Sequence, residues 1–322
     1  MTVYDTSVMH VFLAGASGAI GRQLIPLLTR SGHTVTGTTR SATKADALRA
    51  LGAEPVVLDG LDRAAVLAAV VAARPDAVLH EMTAIESLAD LRRPDRAFAA
   101  TNRLRTEGTD NLLAAARAAG VERIVVQSFA GWPFERVGGP VKDEDAPLDP
   151  HPPARLRTMH EAIRHLERVT TEADGIVLRY GGFYGPGTSV MPGGEQWEMA
   201  RTRKAPTVGD GNGVWAFVHI EDAAAATVAA LERGRAGEIY HVCDDDPAPT
   251  REWVPALCAA AGGKPPRHVP RWIARLVGEH VVAMTCEIRG ASNAKAKREL
   301  GWTPRWPSWR ESWPALAAGG GA

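Results

Sequence analysis

His10-Val-Phe-Leu-Ala-Gly15-Ala-Ser-Gly18-Ala-Ile-Gly21-Arg-Gln-Leu-Ile25 is the stretch whose reading decides the fold. Val11 to Ala14 is a short apolar run that reads as a buried strand, and Arg22 to Leu28 reads as a helix. Between them three glycines stand at a G-x-x-G-x-x-G spacing. Strand, glycine turn and helix in that order are the context a dinucleotide fingerprint requires. Gly15 permits the tight turn, Gly18 lets a pyrophosphate approach the backbone, and Gly21 lets helix and strand pack closely. The free N–H groups and positive dipole end of the helix then hold phosphate. Ser17, Ala19 and Ile20 complete the loop and are expected at the cofactor with the glycines.

The rest of the chain repeats the alternation. Gly32 to Thr39 reads as the second strand, and Thr39-Arg40-Ser41 stands at its exit. An acid there would repel a 2′-phosphate, whereas Arg40 attracts it and Ser41 can hydrogen-bond it, so NADP(H) is favoured over NAD(H). Glu54 to Asp59 is the third strand; Asp59 and Gly60, at its carboxyl end, are placed near the adenine. Asp59 could equally cap the helix that begins near Asp62. Asp76 to His80 is the fourth strand and delivers Glu81 to the expected nicotinamide side. A long helical pattern from Pro94 to Ala119, ended by Gly120, precedes the fifth strand, Arg123 to Ser128. A loop rich in Pro and Gly, residues 138–153, leads to a helix from Arg155 to Thr171 and a sixth strand, Gly175 to Tyr180.

This grammar predicts an α/β fold, a Rossmann-type doubly wound parallel sheet with a smaller, mixed C-terminal substrate lobe. The nucleotide-binding domain is assigned to residues 8–180 plus about 212–243, and the lobe to 181–211 and 244–316. Six of the nine tryptophans follow position 250. They either pack that lobe or line an apolar or aromatic pocket. The chain has 322 residues, 45% of them hydrophobic, enough for a sizeable core. Lys plus Arg and Asp plus Glu both number 37, so the basic excess of a nucleic-acid protein is missing. Three well-separated cysteines give neither a disulfide framework nor metal-ligand spacing and read as buried thiols of a reducing cytosol. No apolar run is long enough to span a membrane, and the start lacks a signal-peptide pattern, so a cytoplasmic location is expected. The partner expected is a small-molecule substrate, with a homodimer left open.

In this order and spacing the motifs resemble the extended short-chain dehydrogenase/reductase superfamily, in its epimerase/dehydratase branch. The resemblance rests on the glycine motif, Asp59, Asn102 with Gly108-Thr-Asp-Asn-Leu-Leu, Ser128, Leu178-Arg-Tyr-Gly-Gly-Phe-Tyr184-Gly-Pro-Gly187, Phe217-Val-His-Ile-Glu-Asp222 and Asn293 to Pro304. It implies a nicotinamide cofactor in the N-terminal domain, with Tyr180 near it, and substrate held by the C-terminal lobe. It also implies a Ser at position 128 that hydrogen-bonds a reacting oxygen, and substrate contacts at Trp132, Tyr184 and Trp215.

Two departures qualify what the resemblance implies. The family's Tyr-x-x-x-Lys pair transfers the proton and holds the nicotinamide ribose. None of the four tyrosines here has a lysine four residues on, and Met159 and Ile163 align with the pair. Neither can transfer a proton. His160, adjacent to Met159, and Glu81 are the candidate replacements. His160 and Glu161 point about 100° apart on a helix, so at most one takes the direction of the missing tyrosine. The second departure is Trp215, which stands where members acting on nucleotide sugars place a diphosphate-binding Arg. Three readings follow. One is an atypical NADP-dependent oxidoreductase acting on a small, largely apolar or aromatic metabolite. The second is a sugar-nucleotide epimerase or dehydratase with a rearranged site. The third is a redox-inert NADP-binding protein, either a sensor or a non-redox catalyst.

Overall fold

The computed structural model describes residues 8–85 and 93–319. Seven strands form one parallel sheet: β1 (His10–Ala14), β2 (Thr34–Thr39), β3 (Ala53–Val57), β4 (Ala77–His80), β5 (Arg123–Phe129), β6 (Ile176–Tyr180) and β7 (Ile239–Val242). Their order is β7-β6-β5-β4-β1-β2-β3. The chain winds outward from β1 in one direction and from β4 in the other. The carboxyl ends of β1 and β4 therefore flank the switch point where such sheets bind ligands.

Alternation along the strands sorts the core into two layers. Val11 and Leu13 of β1 face Leu24, Ile25 and Leu28 of α1 (Ala19–Arg30). Phe12 and Ala14 face the opposite layer, with Val66 and Val70 of the helix Arg63–Ala73 and Leu112 and Ala116 of the helix Thr109–Ala119. The helix Arg157–Glu172 covers β5 and β6 on that second side. The helix Ile220–Arg233, rich in alanine and almost wholly buried, packs beside α1 on the first.

Two expectations about elements need correction. The pattern from Pro94 to Ala119 is one path but several helices: Pro94–Ala97, Ala99–Arg103, a wide π-helical turn at Leu104–Gly108, and Thr109–Ala119. The wide turn sets the Leu104 carbonyl 3.3 Å and the Thr109 hydroxyl 3.1 Å from Nε2 of buried His80. The segment assigned wholly to the lobe after residue 244 also returns to the sheet domain. Ala296, Leu300 and Trp302 join the core of α1 and the helix Ile220–Arg233. Trp302 donates its indole N–H to the Asp222 carbonyl at 3.1 Å.

The lobe itself is an aromatic cluster. Tyr184, Trp197, Phe217, Trp309 and Trp313 are buried together, with Trp253 and Trp215 partly buried against them. Packing thus accounts for most of the C-terminal tryptophans, whereas Trp272 is 66% exposed.

A buried ion pair ties the helix Arg157–Glu172 to the sheet. Arg179 of β6 donates to both oxygens of Glu167, at 2.8 and 2.7 Å. Ser128 of β5 donates to the same carboxylate at 2.6 Å. Removing one member of such a pair strands the other charge. Glu167→Leu should therefore cost about 3–5 kcal/mol in urea unfolding; a loss of about 0–1 kcal/mol, as for an exposed pair, would show the pair to be idle.

Candidate functional site

The turn after β1 has the geometry of a phosphate cradle. Gly15 adopts φ +95°, and a Cβ there would lie 2.6 Å from the Glu81 carbonyl, so only glycine fits. A Cβ on Gly21 would lie 2.5–2.7 Å from the backbone of Gly15 and Ala16, the price of packing helix against turn. Gly18 is different. It is exposed, and a Cβ there would meet only the Gly15 carbonyl, at 3.2 Å. Its lack of a side chain leaves open backbone at the N-terminus of α1, where no side chain caps the helix. Free N–H groups facing open space fit a dinucleotide pyrophosphate. Ser17 and Ala19 flank this opening half-buried, while Ile20 is buried in the core.

At the β2 exit Thr39 is buried and its hydroxyl accepts from the Ser41 N–H at 3.2 Å. This fixes the corner from which Arg40 projects, exposed and, among the described residues, in no ion pair. Asp59 lies just beyond β3, exposed, and accepts from the Leu61 N–H at 3.0 Å. It is Asp62 that caps the following helix, at Ala65 N. Gly60 is buried against Met82, and its carbonyl accepts from Asn111 at 3.1 Å. Sequence reasoning missed Arg22. Its guanidinium would lie 2.9 Å from a Cβ on Gly187, so it spans from the first turn of α1 to the Gly185–Gly187 turn. Its place directly after the third glycine was the available signal.

The family's proton-transfer positions are apolar. Met159 and Ile163 are both 0% exposed. They cluster with Trp132, Leu156 and Ile288, and with the partly exposed Phe98, Phe129, Trp215 and Met284. Trp215 donates its indole N–H to the Met284 carbonyl at 3.0 Å. The wall is therefore aromatic, and the position where members acting on nucleotide sugars place a diphosphate-binding Arg holds the neutral Trp215.

The candidate catalytic residues do not converge there. Ser128 shares the strand face of Ile124 and Val126 and gives its hydroxyl to Glu167. His160 lies about 100° round the helix from Met159. Its ring is buried edge-on against Trp132, with centroids 5.1 Å apart. Burial pushes its pKa down to about 4. Tyr184, expected at the substrate, is 0% exposed inside the lobe, with its hydroxyl 3.3 Å from that of Ser312. Tyr180 and Glu81 meet each other in the core beneath the glycine turn. The Tyr180 hydroxyl lies 3.1 Å from Glu81 Oε1 and 2.6 Å from the Thr227 hydroxyl. Thr227 donates to the Ala223 carbonyl at 2.8 Å. The Tyr180 O–H donates to the Glu81 carboxyl. Burial raises the Glu81 pKa to about 8, against the lowering effect of the Tyr180 hydrogen bond.

Fold and glycine cradle together define a nucleotide-binding enzyme of the Rossmann class. The profile of the NAD dependent epimerase/dehydratase family matches residues 11–243, and the chain belongs to that family. It is 45% identical over 309 residues to a 3-diazoavenalumate denitrifying reductase from a Streptomyces species, covering 94% of this chain and 98% of that protein. It is 29% identical to a 4-hydroxy-2-methyl-3-oxo-4-farnesyl-3,4-dihydroquinoline-1-oxide ketoreductase of Stigmatella aurantiaca, over 80% of this chain and 74% of that one. Among solved structures, the UDP-glucose 4-epimerase of Thermotoga maritima has the same fold. The TM-score is 0.73 at 19% identity, with 96% of this chain and 98% of that one covered. The chain is thus an enzyme of the oxidoreductase and epimerase kind, in a family that binds NAD(P). Among the described residues, no helix is long and apolar enough to cross a membrane.

The Glu81 chain makes a pH prediction. Its folded pKa of about 8 lies above the ordinary 4.5, so its contribution to stability is complete below 4.5 and is lost as pH rises towards 8. Glu81→Gln keeps an acceptor for the Tyr180 hydroxyl and removes the titrating proton. Its melting temperature should hold between those limits while that of the unmutated protein falls relative to it; parallel curves would show Glu81 to be ionised throughout.

Proposed function

We propose that this enzyme is an NADPH-dependent reductase that replaces the diazo nitrogen of an aromatic substrate with hydrogen. The observation that carries this reading is the pair Met159 and Ile163, buried and apolar where the family transfers a proton. Reducing a ketone takes a hydride and a proton, so it needs an acid at that place. Reducing an aryl diazonium does not. A bound nicotinamide supplies the hydride. Its electron pair becomes the new C–H bond, the C–N bond breaks with its pair leaving on nitrogen, and the balance is ArN₂⁺ + NADPH → ArH + N₂ + NADP⁺. No proton enters.

The side chains present suit that balance. Met159, Ile163, Trp132 and Phe129 offer an aromatic substrate an apolar surface and exclude water, which would otherwise displace nitrogen to give a phenol. The 45% identity to a reductase named for denitrifying a diazo compound supports the same substrate class. Trp215, neutral and bonded to a carbonyl, argues against a nucleotide-sugar diphosphate.

Two measurements test the reading. With a benzenediazonium salt and NADPH deuterated at the transferable position, we expect one N₂ per NADPH oxidised and deuterium on the former C–N carbon. Turnover of ketones in place of the diazonium, or tight NADP⁺ binding with no turnover of either, would overturn it. For the cofactor, exposed Arg40 favours the 2′-phosphate. One lost charge-assisted contact is worth roughly ten- to a hundred-fold in affinity, so Arg40→Asp should reverse the preference in calorimetry. Equal NAD⁺ and NADP⁺ affinities in the unmutated enzyme would refute the assignment.

A further inference from the structure

Where the helix Arg157–Glu172 meets the Pro150–Pro152 loop there is a cleft of about 340 Å³. Arg157, His160, Glu161, Arg164 and His151 line it. His160 is 2% exposed, and neither ring nitrogen has a partner at full hydrogen-bond geometry, the Trp132 backbone being the polar group that approaches it. A buried imidazole left so is costly and calls for an explanation. Arg157 is exposed and, among the described residues, in no ion pair. Arg164 gives one N–H to the Asp149 carbonyl at 3.2 Å and, among the described residues, the rest of its fork is free. The Asp149 carboxylate is taken already, by Arg136 at 2.8 Å and the His151 N–H at 2.8 Å. Glu161 is exposed and ion-paired with neither arginine. Two guanidiniums therefore face one carboxylate, and the excess is a single positive charge.

We propose that this cleft binds an organic carboxylate, with Arg157 and Arg164 donating to its oxygens from the rim and a ring N–H of His160 donating from the buried floor. The planar guanidinium fork matches a carboxylate in shape. One excess charge matches a monoanion rather than a phosphate dianion. The carboxylate has two possible sources. One is the acidic arm of the aromatic substrate, a source that rests on the diazo reading above. Trp132 favours it, since that ring belongs to the apolar cluster and touches His160. The other is a separate small acid.

Calorimetry and the NMR signals of the His160 ring, on the full chain with NADP⁺ bound, decide between them. The probes are 4-hydroxycinnamate, its methyl ester and acetate. We expect the acid to bind and to move the His160 signals, and the ester to bind at least ten-fold more weakly. Arg157→Gln with Arg164→Gln should weaken the acid roughly ten- to a hundred-fold and leave the ester unchanged. Acetate binding as tightly as 4-hydroxycinnamate, with the same signals moving, assigns the cleft to a separate small acid. Equal affinity of acid and ester, acid binding unaffected in the double variant, or stationary His160 signals would overturn the proposal. Acid binding that persists when diazonium turnover is absent would sink the diazo reading and leave the cleft standing.

Discussion

Close approach of backbone to backbone at Gly15 and Gly21 is the constraint on which this structure depends. The end of β4, the turn after β1 and the first turn of α1 meet with no room for a methyl group. That contact fixes how α1 leaves the sheet, and so where its N-terminal N–H groups point. Gly37 repeats the theme from β2, where a Cβ would lie 2.8 Å from that of Ala16. The turn is rigid because its supports are backbone, which has no rotamers to relax.

Around that rigid turn the polar groups have been moved away from the place where the family does its proton chemistry. Serine, tyrosine, glutamate and arginine are all present, but each is engaged inside a layer of the fold. Ser128 and Arg179 converge on Glu167 on one side of the sheet, and Tyr180, Glu81 and Thr227 form a chain on the other. What remains at the end of β5 is aromatic and aliphatic.

The doubly wound sheet was legible because its signals are local. Apolar runs, glycine spacing and the helix-ending Gly120 each report on a few neighbouring residues. The tight glycine turn after the first strand was legible for the same reason. Site residues on strands were harder, since a motif gives a position and not a face. Period-two alternation held the answer for two of them. Ser128 shares parity with Ile124 and Val126, and Tyr180 with Ile176 and Leu178, all core positions. The partner that claims Ser128 lies 39 residues away, and no local pattern points to Glu167. The wide turn at Leu104–Gly108 was hidden too, because the groups that draw it to His80 lie 24 and 29 residues apart in the chain.

The return of Ala294–Trp302 to the sheet domain has a consequence for biosynthesis. Trp302 and the Asp222 carboxylate, which accepts from the backbone N–H groups of Arg305 and Trp306, join the last part of the chain to a helix that borders the first strands. A ribosome must reach residues 302–306 before these contacts can form. Until then the face of α1 and its neighbouring helix that receives Leu300 and Trp302 stays wet. The packing of the sheet domain is therefore completed only after residues 300–302 are made, long after its glycine turn is translated. The order of synthesis and the order of completion run in opposite directions along this chain.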